Sequence, residues 1–282
     1  MISVNLTTTS ERLKLCRVAL TSLLMQSRLP DQIYLWVSRG AYLSDKGIAD
    51  DEIVNRLFLS LPETNRHLIQ IRWTSNTGPY RKLIPVLREA APEDLIVTAD
   101  DDIFYGESWL STLLAEYESG EGRAVAGRVR QITYNRIGKK TSYMHWGLIN
   151  EKKVVDRDYI VTFGGGAVLT RSMFREEDIY CDAFLDAAPR SDDLWYTKLL
   201  NMTKKEIIIV PSAMSELFFL PHPHGLENSN LAIGETSLWR RVARRLWLSS
   251  MGRLGWRVCG NDHAFLSIER YFSAEIQIEY LD

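Results

Sequence analysis

Three consecutive carboxylates, Asp100, Asp101 and Asp102, stand at the end of the apolar run 95–99. A run of that kind reads as a strand buried on both faces, as in a parallel sheet. In open α/β sheets the ligand crevice lies beyond the carboxyl ends of the strands, so the triplet falls where ligands bind. Three adjacent negative charges repel one another unless something positive sits among them. A hard divalent cation carrying substrate phosphates would supply that charge, because such ions take oxygen ligands and usually one or two carboxylates. A solvated acidic turn is the alternative. A second acidic pair, Asp192–Asp193, precedes Leu194–Trp195, with Ser191 in place to cap a helix. Capping and the helix dipole alone would account for two acids there. Gly164–Gly165–Gly166 follows the strand-like stretch 159–163. Glycine permits a close backbone approach to a ligand or a positive φ, and an ordinary bulge or tight turn would use it equally well. No Gly-Lys-Ser/Thr follows, so this is not a P-loop. His222 and His224 would project to one side of an extended Pro-rich segment, as metal ligands or as exposed residues of a rigid loop. His67, His145 and His263 have no partner motif.

The elements that must position these groups alternate in type through the first half of the chain. A strand over 2–6 leads through Thr7–Thr8–Thr9–Ser10 to a helix with Leu13, Cys16, Leu20 and Leu23 at helical spacing; Ser10 is placed to cap it, with Glu11 near its positive end. Further strands are predicted over 33–37, 68–73 and 95–99. Helices are predicted near 51–59 and from Pro79, the second carrying Leu83, Val86, Leu87 and Ala90. Strands alternating with helices imply right-handed βαβ units and a parallel sheet. The second half is mixed, with strands expected over 124–130, 159–163 and 207–210. No repeat, low-complexity segment or linker interrupts the chain, so it reads as one domain over 1–282.

With 282 residues and 45% hydrophobic composition, the chain can bury a large core. Its net charge of −2 gives no global argument for nucleic acid. The three cysteines, Cys16, Cys181 and Cys259, are far apart and form no CxxC pair, which implies a reducing compartment without a disulfide framework or zinc site. No signal peptide and no membrane span is legible, so a cytoplasmic protein is expected. From Thr236 to Asn261 there is no acid but six arginines: Arg240, Arg241, Arg244, Arg245, Arg253 and Arg257. Trp239, Val242, Ala243, Leu246 and Trp247 recur between them at helical spacing. Such a helix suits an anionic membrane surface, and equally a C-terminal helix packed on the domain.

Several segments, in order, resemble GT-A fold glycosyltransferases of the family 2-like type, especially bacterial enzymes of surface polysaccharide synthesis. They are Val4–Asn5–Leu6–Thr7–Thr8–Thr9 with Glu11–Arg12, Ser22–Leu23–Leu24–Met25–Gln26, and Pro30–Asp31–Gln32–Ile33. Next come Asn76–Thr77–Gly78–Pro79–Tyr80–Arg81–Lys82, Thr98–Ala99–Asp100–Asp101–Asp102 with Tyr105, the triple glycine, and Asp192–Asp193–Leu194–Trp195. The resemblance covers roughly residues 2–200. It implies a Rossmann-like, mostly parallel central sheet flanked by helices with a mixed C-terminal half. Residues 1–102 would form the nucleotide-sugar half, 103–235 the acceptor half and 236–282 a basic extension. The implied reaction is inverting, metal-dependent transfer of a sugar from a nucleotide-sugar, foremost a UDP-sugar, to a hydroxyl of a glycan or lipid-linked acceptor. Its setting would be polysaccharide or lipopolysaccharide synthesis, with a hexosyltransferase expected.

By the same resemblance, Asp102 would ligate Mn²⁺ or Mg²⁺, with His222 or His224 completing the shell, and Asp193 would be the general base. Asp-Asp stands where Glu-Asp is frequent in that family. Thr7, Thr8, Thr9, Arg12, Ser38, Lys82, Asp100, Asp101, Gly165 and Gly166 would line the nucleotide-sugar site. An extended backbone would turn Asp101 away, as a solvent-exposed or structural carboxylate. Arg81 reads better as a plain structural salt bridge. Peripheral contact with the inner face of the membrane through 239–257 is expected, and no nucleic acid. A sugar nucleotidyltransferase is the alternative enzyme, although Thr7–Thr8–Thr9–Ser10 replaces the early glycine-rich loop it would carry. A non-catalytic nucleotide- or carbohydrate-binding module is a third reading.

Overall fold

The computed structural model describes residues 1–120, 122–221 and 238–279, with side chains of the last stretch described over 244–274. An eight-stranded sheet forms its centre. In one half, β3 (Ile69–Trp73), β2 (Gln32–Val37), β1 (Ile2–Thr7) and β4 (Leu95–Thr98) lie side by side and parallel. The other half is mixed. There β10 (Ala167–Leu169) runs antiparallel between β4 and β6 (Ala124–Ala126). Next to β6 lie β11 (Ile207–Ile209), parallel to it, and then β8 (Lys153–Val155), antiparallel. Two ribbons flank the sheet: β5 (Ile103–Tyr105) with β12 (Leu217–Phe219), and β7 (Val129–Gln131) with β9 (Tyr159–Val161). This is the expected α/β architecture, with a mostly parallel sheet and a mixed second half.

Alternation along the strands feeds two cores, one on each face of the sheet. On one face Val4, Leu6, Ile33, Leu35 and Val97 meet Cys16, Ala19, Leu20 and Leu23 of α1 (Leu13–Leu23) and Leu110, Leu113 and Leu114 of α4 (Trp109–Ser119). On the other, Trp36 and Ile96 meet Val86 and Leu87 of α3 (Ile84–Glu89) and Leu194, Trp195 and Leu199 of α7 (Asp192–Met202). The remaining helices in the first 221 residues are α2 (Asp51–Leu59), capped by Asp50, and the short α5 (Glu176–Tyr180) and α6 (Phe184–Ala187). The C-terminal helices are α8 (Leu238–Arg253) and α9 (Gly260–Glu279).

Three local expectations are corrected. Arg12, not Ser10, occupies the cap position of α1, and it makes no side-chain cap bond. Its N–H donates to Thr9 O at 3.0 Å, and this turn aims the guanidinium at the acidic triplet instead. Residues 78–82 form a 3₁₀ turn, and the α-helix begins only at Ile84. Pro85 is the cause, because an α-helix running through it would lose a hydrogen bond and clash with the carbonyl four residues back. The strand expected over 124–130 is broken at Gly127, where a Cβ would stand 2.8 Å from Gly165 O.

Arg81 is part of a buried ion pair, its Nη2 3.0 Å from Asp45 Oδ2. It also donates to Gly78 O and Thr8 O, fastening the 3₁₀ turn beneath β1. Removing one partner of a buried pair leaves the other charge uncompensated, at a typical loss of roughly 3–5 kcal/mol. Asn76 Nδ2 and Gly47 N still donate to Asp45, so Arg81→Met should fall near the lower end of that range in urea unfolding. The double variant with Asp45→Leu should recover much of the loss.

Candidate active site

The parallel strands end on one edge of the sheet, and the triplet lies just past the last residue of β4. Antiparallel pairing of β10 with β4 places the start of β10 beside the end of β4 (Val168 opposite Val97). The triple glycine immediately before β10 is therefore carried to the triplet. The contact is close: a Cβ on Gly164 would lie 1.9 Å from Asp100 Oδ2. Gly166 adopts φ +97°, a conformation that disfavours any side chain, and a Cβ there would meet the Trp109 ring. Gly165 O accepts from Trp109 Nε1 at 3.1 Å. Tyr105 ties the two segments together. Its hydroxyl accepts from Asp100 N at 2.7 Å and donates to Gly164 O at 2.9 Å.

The acidic pair reaches the same place from the opposite core. Asp193 Oδ1 accepts from Phe163 N at 2.9 Å, so the base of the glycine turn is bonded to the first turn of α7. Lys82 completes the junction. Its Nζ lies 2.9 Å from Asp100 Oδ1 and 3.0 Å from Asp192 Oδ2. The lysine side chain is buried, and burial alone would favour the neutral amine. The charges of Asp100, Asp192 and Asp193 outweigh burial and hold Lys82 protonated, its pKa well above the ordinary value. Asp100 is held below the usual carboxylate range, because Lys82, then Arg12 and Arg128, overcome the effect of burial. For Asp193 the balance is reversed. Burial, with the like charge of Asp192, pushes it up to about 7 against the pull of Lys82.

The first loop closes the site on the other side. Arg12 Nη2 sits 2.7 Å from Asp101 Oδ1 and 2.5 Å from Asp102 Oδ2. Thr8 Oγ1 donates to Asp101 Oδ2 at 2.6 Å. Asp101 is thus a buried structural carboxylate. The chain turns at Asp101–Asp102 rather than running extended, which corrects the solvent-exposed alternative. Burial pushes Asp101 up to about 7 despite Arg12. Thr7 Oγ1 donates to Trp36 O at 2.9 Å. Ser38, fully buried beyond β2, has a hydroxyl without a hydrogen-bond partner among the described residues. His222 and His224 lie outside the described residues. No three His, Cys, Asp or Glu side chains form a ready metal cluster among the described residues.

Thr8, Arg12, Lys82, Asp100, Asp101, Asp102, the glycine turn and Asp193 are therefore linked into one locus by the contacts above. Sequence reasoning left out three participants. The sequence pattern gives Tyr105 no role, although its spacing of five residues from Asp100 allows the chain to fold back. In the sequence Asp192 stands only as the partner of Asp193, yet it is the second anchor of Lys82. Arg128 carries its charge toward Asp100, and its Cβ stands 2.4 Å from where a Cβ on Gly165 would lie; nothing in the sequence near it marks the role.

No protein-family model matches this chain, and no curated protein matches it either. Among solved structures, it is similar to a 4-diphosphocytidyl-2C-methyl-D-erythritol synthase from Anaerococcus prevotii, with 11% identity over 88% of this chain and 96% of that one (TM-score 0.45). It is also similar to S. aureus TarS 1–349 in complex with UDP, with 14% identity over 74% of this chain and 57% of that one (TM-score 0.47). A third likeness is to the 2-C-methyl-D-erythritol 4-phosphate cytidylyltransferase of Francisella tularensis, at 11% identity over 81% and 97% of the two chains (TM-score 0.46). Likenesses this remote say nothing of what the present chain binds or transforms.

The Tyr105 bridge predicts its own test. Tyr105→Phe leaves the Asp100 N–H without its acceptor and deprives Gly164 O of its donor. Leaving buried polar groups unsatisfied costs about 1–3 kcal/mol, which chemical denaturation would read as a lowered midpoint. An unchanged midpoint would mean that the two ends are held together by other contacts.

Proposed function

We propose that the chain is an inverting glycosyltransferase that moves a sugar from a nucleotide-sugar to a hydroxyl of a glycan or lipid-linked acceptor. The observation that carries this reading is the single Lys82 ammonium within 3.0 Å of both Asp100 and Asp192. It joins a carboxylate cluster suited to a diphosphate to an acidic helix start suited to a base. The order of motifs, which resembles GT-A enzymes of surface polysaccharide or lipopolysaccharide synthesis, supports it further, and UDP-sugars are the first donors to try. Asp193, once deprotonated, would take the proton of the acceptor hydroxyl as that oxygen attacks the anomeric carbon. The bond to the diphosphate breaks, and the leaving group departs with the electron pair. Lys82, Arg12 and Arg128 would offset its growing negative charge. Gly164–Gly166 would form a wall free of side chains beside the sugar.

A divalent metal belongs to the proposal. Asp102, partly exposed at the edge of the site, offers the oxygen donor that Mg²⁺ or Mn²⁺ takes together with substrate phosphates. Bound there, the ion would supply Lewis-acid stabilisation of the diphosphate. Arg12 would exchange part of its contact with Asp102 for the incoming ligand. Incubation with a panel of nucleotide-sugars and simple glycan acceptors should release nucleoside diphosphate. Pyrophosphate released from a nucleoside triphosphate and a sugar phosphate would favour the nucleotidyltransferase instead. Binding with neither product would leave a binding module.

The elevated Asp193 pKa fixes the sign of the pH dependence. The base works only when unprotonated, so kcat/KM should climb about tenfold per pH unit below 7 and level off above it. Asp193→Asn cannot accept the proton and should lower turnover by about 10²–10⁴-fold, abolishing that limb while nucleotide binding survives. Turnover within a few-fold of the parent would reduce Asp193 to an anchor for Phe163 N.

Metal dependence has a readout apart from turnover. A uridine diphosphate should raise the melting temperature with manganese present, and chelator or Asp102→Ala should remove that rise. An equal rise in chelator would show that Lys82 and Arg12 hold the diphosphate without an ion.

A further inference from the structure

The stretch 135–140 lies more than a hundred residues from the end of α8, yet the two are fastened together. Asn135 Oδ1 accepts from the N–H groups of Ile137 and Lys139, at 3.1 and 2.9 Å, which shapes a tight tip. Asn135 Nδ2 donates to Leu254 O at 3.0 Å. The chain at Gly255 also presses on this tip, where a Cβ would lie 3.0 Å from Lys140 O. Residues 136–140 are all exposed, and Ile137, at 75%, stands between Arg136 and Lys139. Next to the tip Leu254 is 59% exposed and Trp256 61%, and further back on α8 Leu246 is 65% exposed and Trp247 60%. Arg245, Arg253 and Arg257 are exposed among them. Neither 135–142 nor 236–261 contains an acid. Trp247 and Trp256 also flank an open cleft of about 380 Å³ lined in addition by Met251, Arg257 and His263.

The inward side of the same elements is well packed. His145 Nε2 is bonded to Ser249 O at 2.8 Å, and Gly252 lies against Ser142 and His145. The exposed apolar groups are therefore not the inner face of a helix that has failed to dock. They form a second face, made from two distant segments that contain no acid of their own, on which large apolar side chains stand among cations, with Asp158 bonded to Tyr134 at its margin. Tryptophan suits a boundary that is apolar on one side and wet on the other. Interleaved arginine and lysine fit a surface of anionic phosphates. A protein partner would have to match isolated apolar tips set among charges, whereas a fluid headgroup layer accommodates them. We infer that the tip 135–140 and the end of α8 dock on an anionic bilayer, with Ile137, Trp247 and Trp256 entering the interface.

The surface shares no residue with the proposed donor site, so its test reads partition and not turnover. The full chain should sediment with phosphatidylcholine vesicles that contain phosphatidylglycerol and not with phosphatidylcholine alone. Tryptophan emission should shift to the blue on binding. Raising salt toward 1 M shortens the screening length from roughly 10 Å to about 3 Å and should release the protein. Ile137→Asp sits on an exposed tip and should leave the melting temperature unchanged while lowering partition roughly tenfold or more, the scale set by losing one buried isoleucine. Arg253→Gln with Arg257→Gln should weaken binding without altering the emission of the free protein. Equal binding to neutral vesicles overturns the inference. So does undiminished binding of Ile137→Asp, or release by millimolar inorganic phosphate at constant ionic strength, which would mark a free-anion site.

Discussion

A buried ammonium with two carboxylates on it is the constraint around which the rest of this molecule is arranged. Lys82 comes from a 3₁₀ turn, Asp100 from the end of β4 and Asp192 from the start of α7. Without the cation, Asp100, Asp192 and Asp193 would crowd three negative charges into a poorly hydrated space. Without the acids, the lysine would be pushed toward its neutral form by burial. Each side of the cluster therefore stabilises the charge state of the other. The division of roles follows. Asp100 sits below the ordinary carboxylate range because the lysine bonds it directly. Asp193 makes no direct bond to Lys82 among the described contacts and is left near neutrality, where a general base is most useful.

Such a cluster needs a backbone that holds charged groups closer than their side chains would choose. The antiparallel insertion of β10 supplies it. By running against β4, it brings a glycine turn to the strand end, and only glycine leaves room there for the Asp100 carboxylate. Thr98 Oγ1 donates to Phe163 O at 2.8 Å and accepts from Ala167 N at 3.2 Å, so both ends of that turn are bonded to β4. Tyr105 adds the third tie. Glycine takes the positive φ at Gly166 without strain, and the lack of a Cβ there leaves room for Leu113 and the Trp109 ring.

How much of this was legible depended on whether a feature is local. Helix α2 lies at the expected bounds 51–59, and in the structure Asp50 caps it. The parallel strands were legible because β2 and β4 carry continuous apolar runs and β1 and β3 alternate apolar with polar residues. Strands β5, β8, β10 and β12 were not. They have three residues each, their flanks do not extend a strand-like pattern as those of β6, β9 and β11 do, and their pairing is settled by distant partners. The acidic triplet and the acidic pair could be picked out by charge density. That one lysine joins them could not, because 110 residues separate Lys82 from Asp192 and nothing in the sequence encodes the path between. Arg12 shows the limit from the other side. A generic cap rule chose Ser10, and the electrostatic demand of Asp101 and Asp102 overrode it.

The C-terminal helices bind the site to the outer surface by a short mechanical route. Ser191 Oγ donates to Asn261 Oδ1 at 3.0 Å, one residue before the acidic pair and one residue into α9. Three residues into α7, Trp195 packs on Tyr271 and Phe272, and Lys198 pairs with Glu269 at 2.8 Å. At the other end of the same junction, Asp262 accepts from Ser142 Oγ and from the N–H groups of Tyr143, Val258 and Cys259. That single carboxylate fixes the start of α9 against the segment that leads from the tip 135–140. The helix start bearing Asp193 and the exposed basic face are thus separated by one buried acid and one side-chain hydrogen bond. The hydrogen bond at Ser191 and the bonds to Asp262 hold α7 and the segment after the tip on one common element, α9.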